Sequence, residues 1–384
     1  MPNQERLMHH LSEDERALRK MVRDLVDGEL RHLSTEYEER AEDPKQSYEK
    51  LAELGLAGIP FDPEYGGGGE RYLTYLMVIE ELARGWLALA IGLGVHTLAC
   101  DGLQRFGDSS LKDRYLPDMV SGRRFGAYAL SEPASGSDAS SLSTKATRSN
   151  GSYLVSGQKQ FCTRGGEADL LLLMARTSGE GPRGISAFIV EQGTEGFTPS
   201  KVENKMGWRS SPTWELVFEE CPVPEQNRIG NEGEGFKVAL SALDAGRLGI
   251  AACSIGLAQA ALEASLGFAS EREQFGSRII DFQGIQFMLA DMATQVEAGR
   301  ALYRHAASLK DAGVDYSTEA SMAKLFCSDV AMKVTTDAVQ IHGGYGYIEE
   351  YPVERYMREA KALQIVEGTN QIQRMVIGRR LAPR

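Results

Sequence analysis

The segment Thr144-Lys145-Ala146-Thr147-Arg148-Ser149-Asn150-Gly151-Ser152-Tyr153-Leu154-Val155-Ser156 carries the strongest indication of how this chain folds. Two runs of β-forming residues flank Asn150-Gly151, and this dipeptide accepts the positive φ angles that a tight hairpin turn requires. Further short β-type runs lie before this segment at residues 125–130 and after it at 170–175, 185–190 and 215–218, with turn residues between them. The centre of the chain therefore predicts a β domain.

Both flanks of this β region carry the hydrophobic period of helices. From Ser12 to about Phe125, apolar residues recur at helical spacing, as in Leu76, Ile79 and Leu82. After Gly235 the period returns in three long segments, at about 236–272, 284–312 and 318–341. Segments this long with short connections predict an antiparallel bundle. We therefore expect a mainly helical α+β protein with a helical domain (1–125), a β domain (126–234) and a helical bundle domain (235–384).

The third long segment shows the helical period most clearly. One apolar stripe is predicted to contain Met322, Leu325, Phe326, Val330, Val334, Ala338 and Ile341, with Lys324, Asp329 and Lys333 among the polar residues between them. In the first third, the glycine-rich residues 66–69 follow a Pro-containing run and lack a following Lys-Ser or Lys-Thr pair. They predict a turn between helices and not a phosphate-binding loop.

Composition excludes several classes of protein. A length of 384 residues predicts two or three domains, and a net charge of -12 argues against a nucleic-acid partner. The most apolar stretch, residues 86–100, is too short to predict a membrane span, and the acidic N-terminus resembles no targeting signal. A bacterial cytoplasmic protein is expected. The five cysteines are spaced too widely for a zinc or redox pair, so we expect reduced, buried thiols and no metal site.

Two runs of residues indicate an enzyme that depends on a cofactor. In the run Ile365-Val366-Glu367-Gly368-Thr369-Asn370-Gln371, no other acid, His, Lys or Cys lies within three residues of Glu367. Glu367 is therefore a candidate catalytic base. The run Tyr128-Ala129-Leu130-Ser131-Glu132-Pro133-Ala134-Ser135-Gly136-Ser137-Asp138 is rich in hydroxyl groups and free backbone donors, which suit a polar cofactor.

These runs, taken with two others, resemble the acyl-CoA dehydrogenase family of FAD flavoproteins. The two others are Arg272-Glu273-Gln274-Phe275-Gly276 and Gln340-Ile341-His342-Gly343-Gly344-Tyr345-Gly346, and all four occur in the family's order. The resemblance covers nearly the whole chain and implies the family's fold, with an N-terminal helical domain, a central β domain and a C-terminal four-helix bundle. It also implies FAD as the cofactor.

The resemblance implies roles for residues of the β domain. Tyr128, Leu130 and Ser131 would lie along the flavin, and Ser131 would bond its pyrimidine edge. Ser137 would reach a phosphate or the substrate. Phe161 would pack on the flavin, and the Thr163 hydroxyl would point at its reactive nitrogen and carbonyl edge. Cys162 and Arg164 depart from the more usual Ile and Asn, which leaves the tuning of the flavin and its solvent access open.

The resemblance also implies that FAD is bound between subunits. Arg272, Gln274, Phe282 and Gln283 match positions that reach a neighbouring subunit's FAD, and Arg suits a pyrophosphate because its fork makes paired bonds. Gln340, Ile341, Gly343 and Gly344 would contact the adenine end, with Thr369 and Gln371 as further cofactor contacts. A homo-oligomer follows, most often a tetramer in this family.

The implied reaction is the α,β-dehydrogenation of an acyl-CoA to a trans-2-enoyl-CoA, as in fatty acid β-oxidation. Glu367 would take the α-proton, and its backbone amide would help polarise the thioester carbonyl. Some family branches carry the base at the position of Gly246, which cannot act as one, so the assignment stays with Glu367. Asp244, Arg247 and Gly368 would lie on the substrate side, and an electron-transfer flavoprotein would accept the electrons.

Several alternatives remain open at this point. The same fold could serve an oxidase that reduces O₂, although such enzymes usually carry a further C-terminal domain, or a dehydrogenase of carrier-protein thioesters. A catalytically silent flavoprotein or assembly subunit is a third hypothesis. The Gly246-Arg247 pair resembles the short-chain branch. Residues 93–101, expected at the floor of the pocket, do not decide between a short and a medium acyl chain.

Overall fold

The N-terminal third is helical. The computed structural model describes residues 11–382, and its first helices are α1 (Glu13–Leu25), α2 (Arg31–Arg40), α3 (Lys45–Glu53), α4 (Tyr72–Gly85), α5 (Leu87–Phe106) and α6 (Ser109–Val120). A π-helical turn, Val26–Leu30, joins α1 to α2. Every residue of α4 is buried, because this helix packs against both α5 and the long helix of the C-terminal region. The glycines at 66–69 form a turn between α3 and α4, as predicted, with φ +87° at Gly66 and +66° at Gly69.

The central region is one eight-stranded sheet. Its strands are β1 (Gly126–Ala129), β2 (Lys145–Ser149), β3 (Ser152–Thr163), β4 (Leu170–Arg176), β5 (Ile185–Glu191), β6 (Phe197–Val202), β7 (Thr213–Pro224) and β8 (Arg228–Ile229). The order is β6-β7-β3-β2-β4-β5-β8, and β1 pairs in parallel with β4.

The predicted hairpin is confirmed. Strands β2 and β3 pair antiparallel with Ser149 opposite Ser152, and Asn150 and Gly151 take φ values of +47° and +79°. The short strands β6 and β8 escaped prediction. Strand β6 contains Pro199 and mostly exposed residues, because it lies at the sheet edge and pairs only with β7.

The C-terminal region is a helical bundle. Its helices are α7 (Gly235–Glu271), α8 (Gln283–Asp311), α9 (Ser317–His342), α10 (Val353–Leu363) and α11 (Asn370–Leu381), with a small hairpin of β9 (Glu273–Gln274) and β10 (Ser277–Arg278) after α7. The three long predicted helices are confirmed almost to the residue. Helices α7, α8 and α9 pack on one another, and α10 and α11 pack on α9.

The predicted stripe on α9 is wrong in its first half. Val330, Val334, Ala338 and Ile341 are buried, but Phe326 is 39% exposed and Met322 and Leu325 are only half-buried. The buried face there carries small residues and one cation instead: Ala320, Ala323, Lys324, Cys327, Ser328 and Ala331. Small side chains let α9 approach its neighbours closely, as where the Cys327 thiol donates to the Gly299 carbonyl of α8 at 3.4 Å.

Two of the helices are long and apolar. Helices α5 and α7 are long and apolar enough to cross a membrane by length and composition, which corrects the expectation drawn from residues 86–100. However, 83% and 78% of their most apolar windows are buried inside the protein, as in core helices. All five cysteines are buried free thiols, as expected.

Candidate active site

The candidate base lies in the turn between α10 and α11. Glu367 has a φ of +52° and Gly368 one of +89°, and the Thr369 hydroxyl then caps α11 by accepting from the Ile372 amide at 3.3 Å. Left-handed backbone is costly for a residue with a side chain, so the surroundings must hold it. This turn directs the Glu367 carboxyl against α7, where a Cβ atom on Gly246 would overlap Glu367 Oε2. Only a glycine at 246 leaves room for the carboxyl.

Side chains from α9 and α11 hold the turn in place. Lys324 Nζ donates to the Gly368 carbonyl at 3.0 Å and to Asn370 Oδ1 at 2.9 Å. Gln373 Nε2 donates to the Glu367 and Gly368 carbonyls at 3.2 and 2.8 Å. The backbone on both sides of the carboxyl is therefore fixed by buried donors.

The electrostatics of Glu367 suit proton transfer. Burial raises the pKa of Glu367 to about 7, against the opposing influence of the Lys324 and Arg247 charges. Glu367 Oε2 is buried and has no hydrogen-bond partner within residues 11–382. A carboxyl that titrates near neutral pH, with one free oxygen, can both accept and release a proton.

The two predicted substrate-side residues of α7 bind each other. Arg247 Nη1 donates to Asp244 Oδ1 at 2.6 Å, and the Ser317 hydroxyl donates to the same oxygen at 3.1 Å. Burial raises the pKa of Asp244, and the Arg247 charge opposes this. Arg247 Nε is buried with no partner in the described chain, so this guanidinium keeps one donor for a ligand.

Three phenols and a thiol surround the carboxyl. The pKa values of Tyr72, Tyr75, Tyr128 and Cys253 are raised, chiefly by burial and further by the nearby Glu367 charge. Tyr72 and Tyr128 donate to the carbonyls of Ala245 and Ala239 on α7, at 3.0 and 3.3 Å. These groups stay protonated, which leaves Glu367 as the side chain among them that changes charge near pH 7.

Open space lies beside the base. Gly249, one turn beyond Gly246 on α7, is buried, yet a Cβ atom there would meet no atom of residues 11–382 within 4 Å outside its own helix. On α5, a Cβ on Gly94 would meet only the Tyr75 hydroxyl, at 3.9 Å. Because residues three and seven positions apart share a helix face, Gly246, Gly249 and Cys253 line one wall of this space. An apolar chain next to the base would lie between α4, α5 and α7.

The β-domain residues predicted to line a flavin lie at the ends of β1 and β3. The buried Lys159 Nζ donates to the Leu130 carbonyl at 3.1 Å and to Glu132 Oε1 at 2.8 Å. The Gln160 amide donates to the Ser131 carbonyl at 2.8 Å. These bonds fix the Leu130–Ser131 backbone beside the end of β3.

The side chains of this group differ in exposure. Leu130 is buried, Tyr128, Ser131 and Thr163 are half-buried, and Phe161 presents its ring to solvent with 66% exposure. Ser137 is exposed, in a turn that follows this segment.

The departures at Cys162 and Arg164 have a structural explanation. Arg164 takes a φ of +53°, a left-handed conformation that Asn adopts more readily. Its guanidinium binds Asp43 with two bonds of 2.8 and 3.0 Å and lies 3.8 Å from the centre of the Tyr48 ring. Burial raises the pKa of the Cys162 thiol to about 12, so this cysteine is a packing residue.

Six of the remaining predicted cofactor residues, Arg272, Gln274, Phe282, Ile341, Gly343 and Gly344, line a separate groove. It has a volume of about 520 Å³ and is lined by Phe268, Arg272, Gln274, Phe275, Ile279, Phe282, Ile285, Ile341, His342, Gly343, Gly344, Tyr345 and Ile348. Three distant segments thus meet at the ends of α7, α8 and α9, as the motifs predicted. The Arg272 guanidinium lies 5.4 Å from the Tyr345 ring, and Gly343 has a φ of +60°. Gln283, Gln340 and Gln371 are exposed near these elements but are not among the lining residues.

Sequence patterns missed the residues that support the site. Lys324 and Lys159 are buried cations that bind loop carbonyls far away in the chain, and the buried amide of Gln373 binds carbonyls five and six residues before it. One signal for these residues was present in α9. Lys324 and Ser328 share the helical spacing of the small residues, which form the buried face, and not that of the large apolar residues.

The chain is similar to known proteins over nearly its whole length. Models of the N-terminal, middle and C-terminal domains of acyl-CoA dehydrogenase match residues 12–123, 127–221 and 233–382. An acyl-CoA dehydrogenase from Bacillus subtilis is 47% identical over 97% of this chain and 99% of its own length. The structure of butyryl-CoA dehydrogenase from Megasphaera elsdenii superposes with a TM-score of 0.95 at 43% identity, covering 97% of this chain and 98% of that one.

A further solved structure is similar over the same extent. It is described as "Electron transferring flavoprotein of Acidaminococcus fermentans: Towards a mechanism of flavin-based electron bifurcation", and one of its chains has a TM-score of 0.96 at 45% identity. The match covers 97% of this chain and 99% of that one.

Proposed function

The chain belongs to the acyl-CoA dehydrogenase family, and on that premise we propose that it oxidises a short- or medium-chain acyl-CoA to the trans-2-enoyl-CoA with FAD as cofactor. The observation that carries the proposal is Glu367, a half-buried residue with a pKa of about 7 and a buried, unbonded Oε2 beside open space. Its catalytic role is part of the proposal.

Glu367 takes the proton from the α-carbon of the bound thioester. The ionised carboxylate accepts it on Oε2, the oxygen that faces Gly246, and the neighbouring phenols of Tyr72 and Tyr128 remain neutral. Fixed donors such as the Glu367 amide stabilise the developing negative charge, because they are in place before the reaction begins. The pair of Asp244 and Arg247 lies on the same helix as Gly246, and the free Arg247 Nε is available to a polar group of the substrate.

The cofactor supplies the acceptor for the hydride that leaves the β-carbon. The chain offers two surfaces that match FAD. The half-buried Tyr128, Ser131 and Thr163 lie near the fixed Leu130 segment, and the groove around Arg272 joins a cation to exposed glycine backbone at 343–344. A guanidinium beside open backbone amides suits a pyrophosphate. Phe161, Gln274, Phe282, Gln283, Gln340, Ile341, Thr369 and Gln371 complete the proposed cofactor contacts.

The substrate chain fits between α4, α5 and α7. Butyryl-CoA dehydrogenase is the name of one relative, and the open space beside Gly249 and Gly94 is available to such an acyl group. A relative named as an acyl-CoA dehydrogenase is 47% identical to this chain, whereas a prolyl acyl carrier protein oxidase of nearly full-length match is 31% identical, so neither an oxidase nor a carrier-protein dehydrogenase is favoured. An intact Glu367 site argues against a silent subunit.

The proposal extends to partners and location. An electron-transfer flavoprotein as electron acceptor is supported by the similar chain in a structure of that flavoprotein. A homotetramer in the bacterial cytoplasm, without a membrane span, is proposed from family membership and from bacterial relatives. The three domains are proposed with boundaries at 125 and 234.

An anaerobic titration tests the function. Purified holoenzyme is mixed with butyryl-, hexanoyl- and octanoyl-CoA, and the loss of the oxidised flavin absorbance is followed. Bleaching with enoyl-CoA as product is expected. The variant Glu367→Gln should keep FAD and bind the same thioesters, yet lose nearly all turnover, because the amide cannot accept a proton at neutral pH. Turnover retained in this variant would remove Glu367 as the base.

A further inference from the structure

A buried lysine lies behind the candidate base. Lys324 on α9 has no solvent exposure, and its ammonium donates to the Gly368 carbonyl and to Asn370 Oδ1. Within residues 11–382, no carboxylate lies within 4.0 Å of Lys324 Nζ. Burying an ammonium that lacks a direct counter-charge is costly, so a purely structural contact would be made more cheaply by a neutral donor.

The nearby acids are already bound to other groups. Asp329 accepts from Asn370 Nδ2 at 2.7 Å and from Gln364 Nε2 at 2.6 Å, and Arg374 of α11 lies 3.4 Å from its second oxygen. Asp244 is bound to Arg247. Glu367 is therefore the acid with an unbonded oxygen that remains to balance the charge of Lys324.

Other charged and titratable groups around the carboxyl come from four elements. They are Asp329 from α9, Asp244, Arg247 and Cys253 from α7, Tyr72 and Tyr75 from α4, and Tyr128 from β1. The thiol and the phenols are neutral at pH 7, and Arg247 is compensated by Asp244 at 2.6 Å. The uncompensated cation next to Glu367 is Lys324.

We infer that Lys324 is a positioning residue for the proposed base: it holds the left-handed turn through the Gly368 carbonyl, and its charge favours the ionised form of the Glu367 carboxyl. The inference rests on the proposed function, since it assigns Lys324 a part in that reaction. The two effects of Lys324, its hydrogen bond to the turn and its charge near Glu367, are physically separable. Holding the turn needs only a hydrogen-bond donor, whereas ionising the carboxylate needs a positive charge.

Consistent with this arrangement, the coupling works in both directions. Lys324 lowers the pKa of Glu367 against the larger effect of burial, and Glu367 raises the pKa of Lys324, which burial lowers to about 8. Linkage requires that the two effects have the same free energy. Removing the charge of either side chain should therefore shift the pKa of the other.

The test replaces the charge while retaining a donor. Lys324→Gln offers an amide to the Gly368 carbonyl but has no charge, Lys324→Arg keeps the charge, and Lys333→Gln removes an exposed lysine of the same helix as a matched control. The protonation of Glu367 is read in the substrate-free holoenzyme by infrared difference spectroscopy against Glu367→Gln. The midpoint is expected to rise by about one pH unit in Lys324→Gln, the lower end of the effect of a close opposite charge. In Lys324→Arg the Glu367 midpoint should stay below the value in Lys324→Gln, because the charge is kept. In Lys333→Gln the midpoint should equal that of the wild type.

The pH profile of kcat/KM gives a second readout. If the midpoint rises by one unit from about 7, the ionised fraction at pH 7 falls roughly fivefold, and kcat/KM falls with it. Above the new midpoint the loss should disappear, whereas damage to the turn alone would lower activity at every pH. A folded Lys324→Gln enzyme with FAD bound and an unshifted midpoint would refute the inference.

A reciprocal measurement does not depend on the folding of Lys324→Gln. Nitrogen-15 solid-state NMR of lysine-labelled holoenzyme follows the Lys324 ammonium, identified by its loss in Lys324→Arg. In Glu367→Gln the ammonium should titrate at lower pH than in the wild type, because its counter-charge is gone; an unchanged midpoint would contradict the coupling. If the coupling is observed but Glu367→Gln retains turnover, the proposed function fails while the interaction of the two side chains stands.

Discussion

Among the single residues of the site, one carboxyl adopts a costly conformation. Glu367 combines left-handed backbone, burial and a free oxygen, each of which lowers stability on its own. The surrounding donors from Lys324 and Gln373 hold this arrangement. A strained and buried acid kept in place by specific contacts is typical of a functional group.

The raised pKa of Glu367 has a consequence for stability. Its value in the folded protein is about 7, above the ordinary value of 4.5, so the folded state binds the proton more tightly than the unfolded state. Stability from this group is complete below about pH 4.5 and is lost as pH rises through 7. Glu367→Gln should therefore gain on the order of 1–3 kcal/mol relative to wild type between pH 5 and pH 8.

Urea unfolding of the two proteins at both pH values measures this difference. Lys333→Gln, on the surface of α9, serves as the control that should show no such gain. An equal difference between wild type and Glu367→Gln at pH 5 and pH 8 would show that the carboxyl titrates normally.

Among the helices and strands, α7 forms the wall of the active site by means of its glycines. Gly246 admits the carboxyl, and Gly249 leaves space one turn away. Gly249→Val would fill this space with a branched side chain. We expect kcat/KM for octanoyl-CoA to fall at least tenfold relative to butyryl-CoA, because the longer chain needs the filled volume.

Steady-state assays with both substrates measure this ratio. Gly267→Ala, on an exposed turn of the same helix, is the matched control, because a Cβ atom at this position would meet no atom within 4 Å outside its own helix. This control should leave the ratio unchanged. A Gly249→Val enzyme with an unaltered preference would place the acyl chain elsewhere.

A second contact between elements joins the turn after α2 to the end of β3. Arg164 and Asp43 form a mostly buried, doubly bonded pair beneath the Tyr48 ring. Asp43→Ala would leave the Arg164 charge without its partner and should lower the free energy of unfolding by about 3 kcal/mol. Adding Arg164→Asn should recover most of the loss, because Asn accepts the left-handed backbone and carries no charge.

A double-mutant cycle of urea unfolding measures this coupling. Losses that simply add in the double variant would mean that Arg164 and Asp43 do not act as a pair.

In the molecule as a whole, the groove around Arg272 lies among exposed apolar side chains. Phe275 is 96% exposed, Phe287 60% and Tyr347 86%. Exposed rings of this size beside a proposed nucleotide site suggest contact with another subunit. Light scattering of the purified protein should give about four times the chain mass of 42.1 kDa. Phe275→Ser should lower this mass and the FAD content together.

The matched comparison is Arg272→Ala, which should reduce FAD content while leaving the assembly largely intact. The absorbance ratio of flavin to protein and the molar mass separate the two effects. A Phe275→Ser protein that retains both its mass and its FAD would show that this ring is not part of an interface.

The amino-acid pattern was sufficient to predict the order of helical, β and helical regions, the Asn150-Gly151 hairpin, the ends of the long helices and the isolation of Glu367. These features depend on local periods and turn conformations, which neighbouring residues largely fix. The folded chain was needed to learn that Lys324 is buried, that Gly246 faces the carboxyl and that Arg164 binds Asp43. Each of these depends on partners far away in the chain, and the helical period of α9 alone cannot tell which face meets a loop carbonyl that satisfies a buried cation.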